Sequence, residues 1–215
     1  MARTSETPIT GPGPVSSPSD IAMTAPPPVT LSAADREALL ALARLAVSVA
    51  VGIAPHVELE QAREALRGRG WRASAFVTLT EDGELRGCMG HLDPELPLAE
   101  SVVEAASCAA LLDPRFARVS ARELAAIEVD VSVLGPMVPL AKPAAFAIGQ
   151  EGIVVMRGGR RGLLLPEVAS QLDDSAVAML DTCCRKAGLS VGSWREPGTV
   201  VLAFRTDRFG GPAIA

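Results

Sequence analysis

Apolar residues recur along this chain with two different spacings, and each spacing predicts one kind of secondary structure. Apolar side chains at every third or fourth position, beginning with Leu39 and Leu42, predict a helix over about residues 33–50. A second helical segment is predicted over about residues 98–111. Within residues 127–133, apolar and polar side chains alternate strictly, which is typical of a strand with one buried face.

Two pairs of apolar runs flank glycine-containing turns, and each pair predicts a β-hairpin. Residues 75–80 and 85–90 lie on either side of an Asp-Gly turn. Residues 152–156 and 162–165 lie on either side of an arginine-rich loop at 157–161. Because strands pair through tight turns and do not alternate regularly with helices, we predict an α+β fold, with an antiparallel or mixed sheet flanked by helices.

The last third of the chain predicts one more helix and one more strand. Asp173 or Asp174 is a typical helix cap, and the helix that follows is expected to end at Gly188. Residues 199–205 then have the apolar and β-branched character of a strand, which is expected to close the sheet.

The composition at the start of the chain differs from the rest. Residues 1–28 hold seven of the seventeen prolines and are rich in serine, threonine and glycine. Such a segment cannot bury enough apolar surface to offset the entropy lost on ordering, so we predict a disordered tail over residues 1–28. The rest of this 215-residue chain, which is 48% apolar as a whole, can bury a proper core, and we predict one domain over residues 29–211.

Charge and cysteine content exclude several classes of protein. A net charge of -5 argues against a surface built to bind nucleic acid, so nucleic acid is not the expected partner. The sequence lacks the apolar segment of a signal peptide and any apolar stretch long enough to span a bilayer, which predicts a cytoplasmic protein without membrane contact. The four cysteines lack the density of a secreted disulfide framework and are expected to be free thiols.

The most informative segment is Leu85-Arg86-Gly87-Cys88-Met89-Gly90, where one cysteine stands between two glycines just after the first hairpin turn. Side chains alternate along a strand, so Arg86 and Cys88 are expected on the same face as neighbours. A guanidinium beside the thiol would lower its pKa below the free value of about 8.5 and favour the reactive thiolate. Gly87 and Gly90 would let a ligand or another backbone approach. The alternative is a structural thiol whose flanking glycines mark a bulge.

Two further roles for Cys88 stay open on the sequence. His91 would act as its base only if the strand broke at Gly90, because regular alternation places the two side chains on opposite faces. Cys88 and His91 also have the Cys-x-x-His spacing of half a zinc site, which Cys183 or Cys184 could complete. Since the sequence offers no second ligand pair, we predict no metal site.

The arginine-rich loop at residues 157–161 is a candidate for binding phosphate or RNA. Its three arginines supply positive charge and its two glycines expose backbone amides. The alternative is an ordinary exposed hairpin loop, in which glycine makes the turn and arginine keeps the loop soluble. We prefer this alternative, because the aromatic side chains that usually accompany single-strand binding are absent from the loop.

Three motifs carry a resemblance to a known family. Residues 85–90 resemble the signature Leu-Arg/Lys-Gly-Cys-Ile-Gly of the AMMECR domain family, whose bacterial and archaeal members are labelled AmmeMemoRadiSam system protein A. Asp113-Pro114-Arg115-Phe116 resembles the family's Asp-x-Arg-Phe, and Leu165-Pro166-Glu167-Val168-Ala169 resembles its Leu-Pro-x-Val-Ala, in the same order. The likeness covers roughly residues 30–210. It implies two subdomains, with the cysteine motif beside the cleft between them.

The resemblance also implies partners, because the family's label records a genomic association with a MEMO-like protein and a radical S-adenosylmethionine (radical SAM) protein. Our hypothesis is an enzyme or enzyme subunit that acts with these partners through the cysteine motif, without a cofactor of its own. The alternative is a non-catalytic module that binds a protein or a nucleic acid. The sequence leaves the oligomeric state open. The candidate catalytic residues are Cys88 and Arg86, and the candidate substrate-binding residues are Gly87, Gly90, His91 and Arg115.

Overall fold

The computed structural model describes residues 28–92 and 94–211. The predicted tail over residues 1–28 therefore lies outside the described residues except for Pro28. The described chain forms two compact units. The first unit contains residues 28–134 and returns at the end of the chain from Asp207, and the second unit contains residues 135–206.

The first unit is a sheet with helices packed against one face. Val77 and Leu79 of one strand and Val129 and Val131 of its neighbour are fully buried against these helices. Alternate residues of each strand point the other way, as the period of a strand requires. The helices of this unit are α1 (Ala33–Ala50), α2 (His56–Arg67) and α3 (Leu98–Leu111), and its strands are β1 (Ala75–Glu81), β2 (Glu84–Gly90) and β3 (Ile127–Leu134).

Strand pairing in the first unit is antiparallel. β1 pairs with both β2 and β3, and the end of the last strand, β7 (Val200–Gly211), continues the sheet next to β3. β2 is therefore an edge strand of this sheet. Asp82 and Gly83 both adopt positive φ angles, which is the backbone that the predicted Asp-Gly hairpin turn requires.

The second unit repeats the combination of an antiparallel hairpin and a helix. Its hairpin pairs with the first half of β7, and its core contains Ile153, Val155, Met179 and Leu180, all fully buried. The elements of this unit are β4 (Val138–Pro139), β5 (Glu151–Arg157), β6 (Arg160–Leu164), a 3-10 helix (Pro166–Leu172) and α4 (Ala176–Lys186).

The predicted α+β class with an antiparallel sheet is confirmed, and so are the bounds of α1 and α3. The predicted cap of α4 is wrong. Ser175 caps this helix by accepting a hydrogen bond from the backbone N–H of Ala178 at 3.2 Å. Asp173 and Asp174 instead adopt left-handed backbone conformations in the turn before it. β7 also continues beyond residue 205, the predicted end of that strand.

Among the described residues, no helix combines the length and the apolar character that crossing a membrane requires.

Candidate functional site

Cys88 lies on the edge strand β2, and its backbone and side chain contact different neighbours. Its cross-strand partner is Thr78 on β1, whose hydroxyl donates a hydrogen bond to Cys88 Sγ at 3.3 Å. The backbone N–H of Cys88 donates to Asp113 Oδ2 at 2.9 Å. Because no strand continues the sheet beyond β2, the carboxylate of Asp113 satisfies a backbone donor that an edge strand would otherwise expose.

Asp113 is a buried carboxylate, and within the described residues it accepts hydrogen bonds from Cys88 and Arg115. Besides the N–H of Cys88, it accepts from the backbone N–H of Arg115 at 3.1 Å and from two guanidinium nitrogens, Nε at 3.0 Å and Nη2 at 2.7 Å. Its side chain is 2% exposed. Burial alone would raise the pKa of Asp113, but the hydrogen bonds from Arg115 and Cys88 outweigh it and hold the pKa below its ordinary value. The carboxylate is therefore ionised at neutral pH.

Arg115 is the cation that this arrangement brings to Cys88. Its Nη2 lies 3.5 Å from the carbonyl oxygen of Cys88, and its guanidinium lies over the ring of Phe116, 5.4 Å from the ring centre. Hydrogen bonding to Asp113 is the main cause that raises the pKa of Arg115, and negative charge on Cys88 raises it further.

Arg86 occupies a β-bulge and turns toward another part of the chain. Leu79 pairs with Gly87 and Thr80 pairs with Leu85, so Arg86 is the extra residue on β2. Its Nε donates to Glu123 Oε1 at 2.7 Å, and its two terminal nitrogens donate to backbone carbonyls in the same segment. The hydrogen bond from Arg86, followed by hydrogen bonds from Ser120, lowers the pKa of Glu123 to about 2. The bulge breaks the regular alternation on which the predicted Arg86–Cys88 pairing depended, and that pairing stays a prediction.

The two glycines of the motif contact other parts of the first unit. A Cβ at Gly87 would lie 2.3 Å from the carbonyl oxygen of Ala109, so this glycine lets α3 pack directly on β2. A Cβ at Gly90 would lie 2.5 Å from both the ring of Phe76 and the carbonyl oxygen of Ala75. The glycines were expected to allow the approach of either a ligand or another backbone. The approach of the α3 backbone accounts for Gly87. Their role in binding a substrate stays a prediction.

His91 follows β2 and contacts a different element from Cys88. Its Nε2 lies 3.5 Å from Glu104 Oε2 on α3. Cys108 follows Glu104 by one turn of the same helix, and its pKa is raised by burial first and by the charge of Glu104 second. The contact of His91 with α3 agrees with the expectation that regular alternation places His91 on the face opposite Cys88. A Cys88–His91 pair therefore has no contact in its support.

The other cysteines do not join this arrangement. Cys183 and Cys184 are buried in α4 of the second unit, and burial raises the pKa of Cys183 to about 12. All four cysteines are free thiols. Within residues 28–92 and 94–211, no group of three or more histidine, cysteine, aspartate or glutamate side chains is arranged to hold a metal ion.

Two arginines of the loop at residues 157–161 are engaged within the second unit. Arg157 forms an ion pair with Glu196, and Arg160 Nη1 donates to the carbonyl oxygen of Gly188 at 2.7 Å. Gly158 and Gly159 at the tip have φ angles of 56° and 78°, as a two-residue hairpin turn requires. These contacts favour the interpretation of the loop as a structural hairpin.

Two residues of the site were not among the predicted ones. Asp113 belongs to the Asp-Pro-Arg-Phe motif, so its type and position were visible, but its hydrogen bond to Cys88 depends on tertiary structure. Thr78 lies ten residues before Cys88, and only the register of the hairpin shows that their side chains are neighbours. An alignment of β1 and β2 through the Asp-Gly turn was the one signal that could have found it.

Comparisons with known proteins agree on one family. The family model described as AMMECR1 matches residues 40–209. A protein from Methanothermobacter thermautotrophicus is 42% identical over 144 residues, which cover 64% of this chain and 75% of the relative. A protein from Aeropyrum pernix is 40% identical over 187 residues, which cover 83% of this chain and 79% of the relative.

The fold has a counterpart among solved structures. The crystal structure of the uncharacterized protein PH0010 from Pyrococcus horikoshii superimposes with a TM-score of 0.72 at 31% sequence identity. The superposition covers 83% of this chain and 92% of that protein. The resemblance first seen in three short motifs therefore extends over most of the fold.

Proposed function

The chain belongs to the AMMECR1 family, and from this premise we propose that it is a cysteine-dependent enzyme or enzyme subunit in which Cys88 is the reacting group. One observation carries the proposal. A half-buried thiol on an edge strand accepts a hydrogen bond from Thr78. Arg115, which the buried carboxylate of Asp113 holds in place, has its Nη2 3.5 Å from the backbone carbonyl oxygen of the same cysteine. A hydroxyl donor and a fixed cation are the groups that stabilise a thiolate.

The same groups support an anionic substrate. Arg115 uses its Nε and Nη2 to bind Asp113, and within the described part of the chain its Nη1 has no hydrogen-bond partner. Its side chain is 29% exposed. We propose that Nη1 binds a carboxylate or phosphate of the substrate. We propose that Cys88 Sγ, having lost its proton to solvent, adds to a carbonyl carbon of the substrate, while the π electron pair of the carbonyl moves to its oxygen, which takes a proton from water.

The proposed partners come from the family. The label AmmeMemoRadiSam system protein A associates its bacterial and archaeal members with a MEMO-like protein and a radical SAM protein. We propose that this chain works with both in the cytoplasm. Free thiols throughout the chain agree with a reducing compartment.

Alkylation of the native protein tests the reactivity of Cys88. Iodoacetamide is added at several pH values and each cysteine is followed by peptide mass spectrometry. Cys108 is the matched comparison, because it is also half-buried but lies beside Glu104. We expect Cys88 to react at least about tenfold faster than Cys108 at neutral pH, and inorganic phosphate to slow Cys88 selectively. Equal rates for the two thiols would contradict the proposal.

Reconstitution with the MEMO-like and radical SAM proteins tests the role in turnover. We expect Cys88→Ser to abolish product formation while the fold is retained, and Cys108→Ser to leave it unchanged. Turnover by Cys88→Ser at the rate of the unmodified protein would exclude Cys88 as the reacting group. Arg160→Gln and Arg161→Gln test the alternative of a nucleic-acid-binding module. If these two substitutions removed RNA binding measured at low salt, that alternative would be favoured instead.

A further inference from the structure

Strand β2 holds the segment formed by residues 113–123 at two points. Near the start of the segment, the backbone N–H of Cys88 donates to Asp113. In its middle, Arg86 donates to the carbonyl oxygens of Ala117 at 2.8 Å and Arg118 at 3.2 Å. The residues on β2 that make these contacts are two positions apart. β2 therefore carries both the thiol of Cys88 and the side chain of Arg86, which holds the 113–123 segment in place. This segment contains Arg115.

The ion pair between Arg86 and Glu123 completes the second attachment. Arg86 is 15% exposed and Glu123 is 25% exposed, so both side chains are largely shielded from solvent. The other carboxylate oxygen of Glu123 accepts the backbone N–H of Ser120 at 2.7 Å. One carboxylate thus joins Arg86 to the turn that ends the segment.

We propose that Arg86 is a positioning residue for the Cys88 site, which it serves by holding the 113–123 segment so that Arg115 stays beside the thiol. The inference rests on the proposed function of Cys88. It assigns Arg86 a different role from the direct electrostatic one that its place in the motif suggested. The guanidinium acts through the segment, and Arg115 supplies the charge that the thiolate meets.

The two roles predict opposite results when Glu123 is removed. If Arg86 acted directly on Cys88, Glu123→Ala would release its positive charge and favour the thiolate. If Arg86 positions the segment, Glu123→Ala and Arg86→Met both loosen the attachment and both weaken the effect of Arg115. The double variant should then be no worse than either single variant, because both substitutions remove the same interaction.

The pH profile of Cys88 alkylation separates a change in the stability of the thiolate from a change in the exposure of the thiol to the reagent. The rate at about pH 7 is divided by the plateau rate at about pH 9.5, where the thiolate predominates in every variant. A change in exposure alters both rates alike and leaves the ratio unchanged. We expect Arg86→Met and Glu123→Ala each to lower the ratio by about threefold to tenfold, as contacts between coupled residues do.

Arg122→Ala is the matched control, because Arg122 is exposed, lies in the same segment and precedes Glu123. We expect this substitution to leave the ratio unchanged. A ratio that rises, or stays constant, in Glu123→Ala overturns the inference while Cys88 retains its proposed function. If Cys88 in the unmodified protein reacts no faster than Cys108, the proposed function fails first, and the inference fails with it. Circular dichroism shows whether each variant is folded. If Arg86→Met does not fold, Glu123→Ala still tests whether the ratio rises or falls.

Discussion

The two units pack a helix on a hairpin in the same way, yet they place a cysteine in opposite environments. In the first unit α3 lies on β2 where Gly87 leaves room for the carbonyl oxygen of Ala109. In the second unit α4 lies on β6 where a Cβ at Gly162 would come within 2.3 Å of the carbonyl oxygen of Cys183. Each hairpin closes through a two-residue turn with positive φ angles.

The difference lies in the element and the face that carry the thiol. Cys183 is on the helix and faces the sheet, where it is fully buried. Cys88 is on the strand and alternates with Gly87, so its side chain points away from the helix that packs on that glycine. There it accepts a hydrogen bond from Thr78. The comparison teaches that the glycine in such a hairpin serves packing, while the neighbouring strand position is available for chemistry.

The largest expected difference between the two regions is the reactivity of these thiols. Cys183 is inaccessible and its pKa is raised to about 12, so alkylation requires opening of the second unit. Since such opening costs several kcal/mol, we expect native Cys183 to react at least about a thousandfold more slowly than Cys88. Peptide mass spectrometry of one native sample measures both rates. Denaturing the protein should remove most of the difference, and a native ratio near one would contradict the contrast.

Substitutions of Gly87 and Gly162 test whether the two regions pack a helix on a hairpin in the same way. Gly87→Ala and Gly162→Ala each place a Cβ against helix backbone that cannot move aside, and we expect each to lower the free energy of unfolding by about 3 kcal/mol. Urea denaturation measures the loss. Gly68→Ala is the control, because its Cβ would have ordinary contacts beyond 3.6 Å at a negative φ angle. If only one of the two hairpin substitutions destabilised the protein, the shared packing would be refuted.

Asp113 offers a further test of the contrast between Cys88 and Cys183. It contacts the backbone of Cys88, and the contacts of Cys183 in the second unit include no equivalent carboxylate. Asp113→Asn keeps the size of the side chain but removes its charge from Arg115. We expect the free energy of unfolding to fall by about 2 kcal/mol, since the buried side chain loses its charge-assisted hydrogen bonds with Arg115. We also expect the rate of Cys88 alkylation to change and the rate of Cys183 alkylation to stay the same.

Thermal unfolding and alkylation of the same Asp113→Asn sample supply both measurements. Asp174→Asn, which removes a carboxylate from an exposed turn of the second unit, is the comparison for a general effect of charge. An Asp113→Asn protein as stable as the unmodified one would show that Arg115 finds another partner.

The helices show how far a local pattern can predict structure. α1 and α3 have long apolar stripes, and the sequence predicted both over their observed bounds. α2 was not predicted from the sequence, because Leu59 is its only buried residue and a helix with so narrow an apolar face has a weak period. The cap of α4 was misplaced by one or two residues because aspartate and serine both suit that position.

The site was predictable in its residue types but not in its pairings. The motifs identified Cys88 and Arg115, and the prediction that Arg86 lies beside Cys88 depended on strict alternation, which the bulge interrupts. The bulge at Arg86 depends on how β2 meets β1 and the segment after α3, and no local pattern encodes it. Asp113 contacts Cys88 across 25 residues, so only the tertiary fold could show that the two motifs form one site.

The smallest expected effect concerns the ion pair between Arg86 and Glu123, one of the contacts that attach the 113–123 segment to β2. Glu123 has an ordinary pKa of 4.5 that folding lowers to about 2, chiefly through Arg86. Its contribution to stability is therefore complete above about pH 4.5 and is lost as the pH falls toward 2. Because Glu123 is partly exposed, solvent screening limits this contribution to about 1 kcal/mol at neutral pH.

Urea denaturation of the unmodified protein and Glu123→Gln across this pH range measures the contribution. We expect the difference between the two proteins to shrink toward zero on acidification, because the protonated carboxyl resembles the amide. Glu128→Gln is the control, since Glu128 is exposed on β3 and should show no such trend. A difference that stays constant with pH would mean that Arg86 holds the segment through the carbonyl oxygens of Ala117 and Arg118 alone.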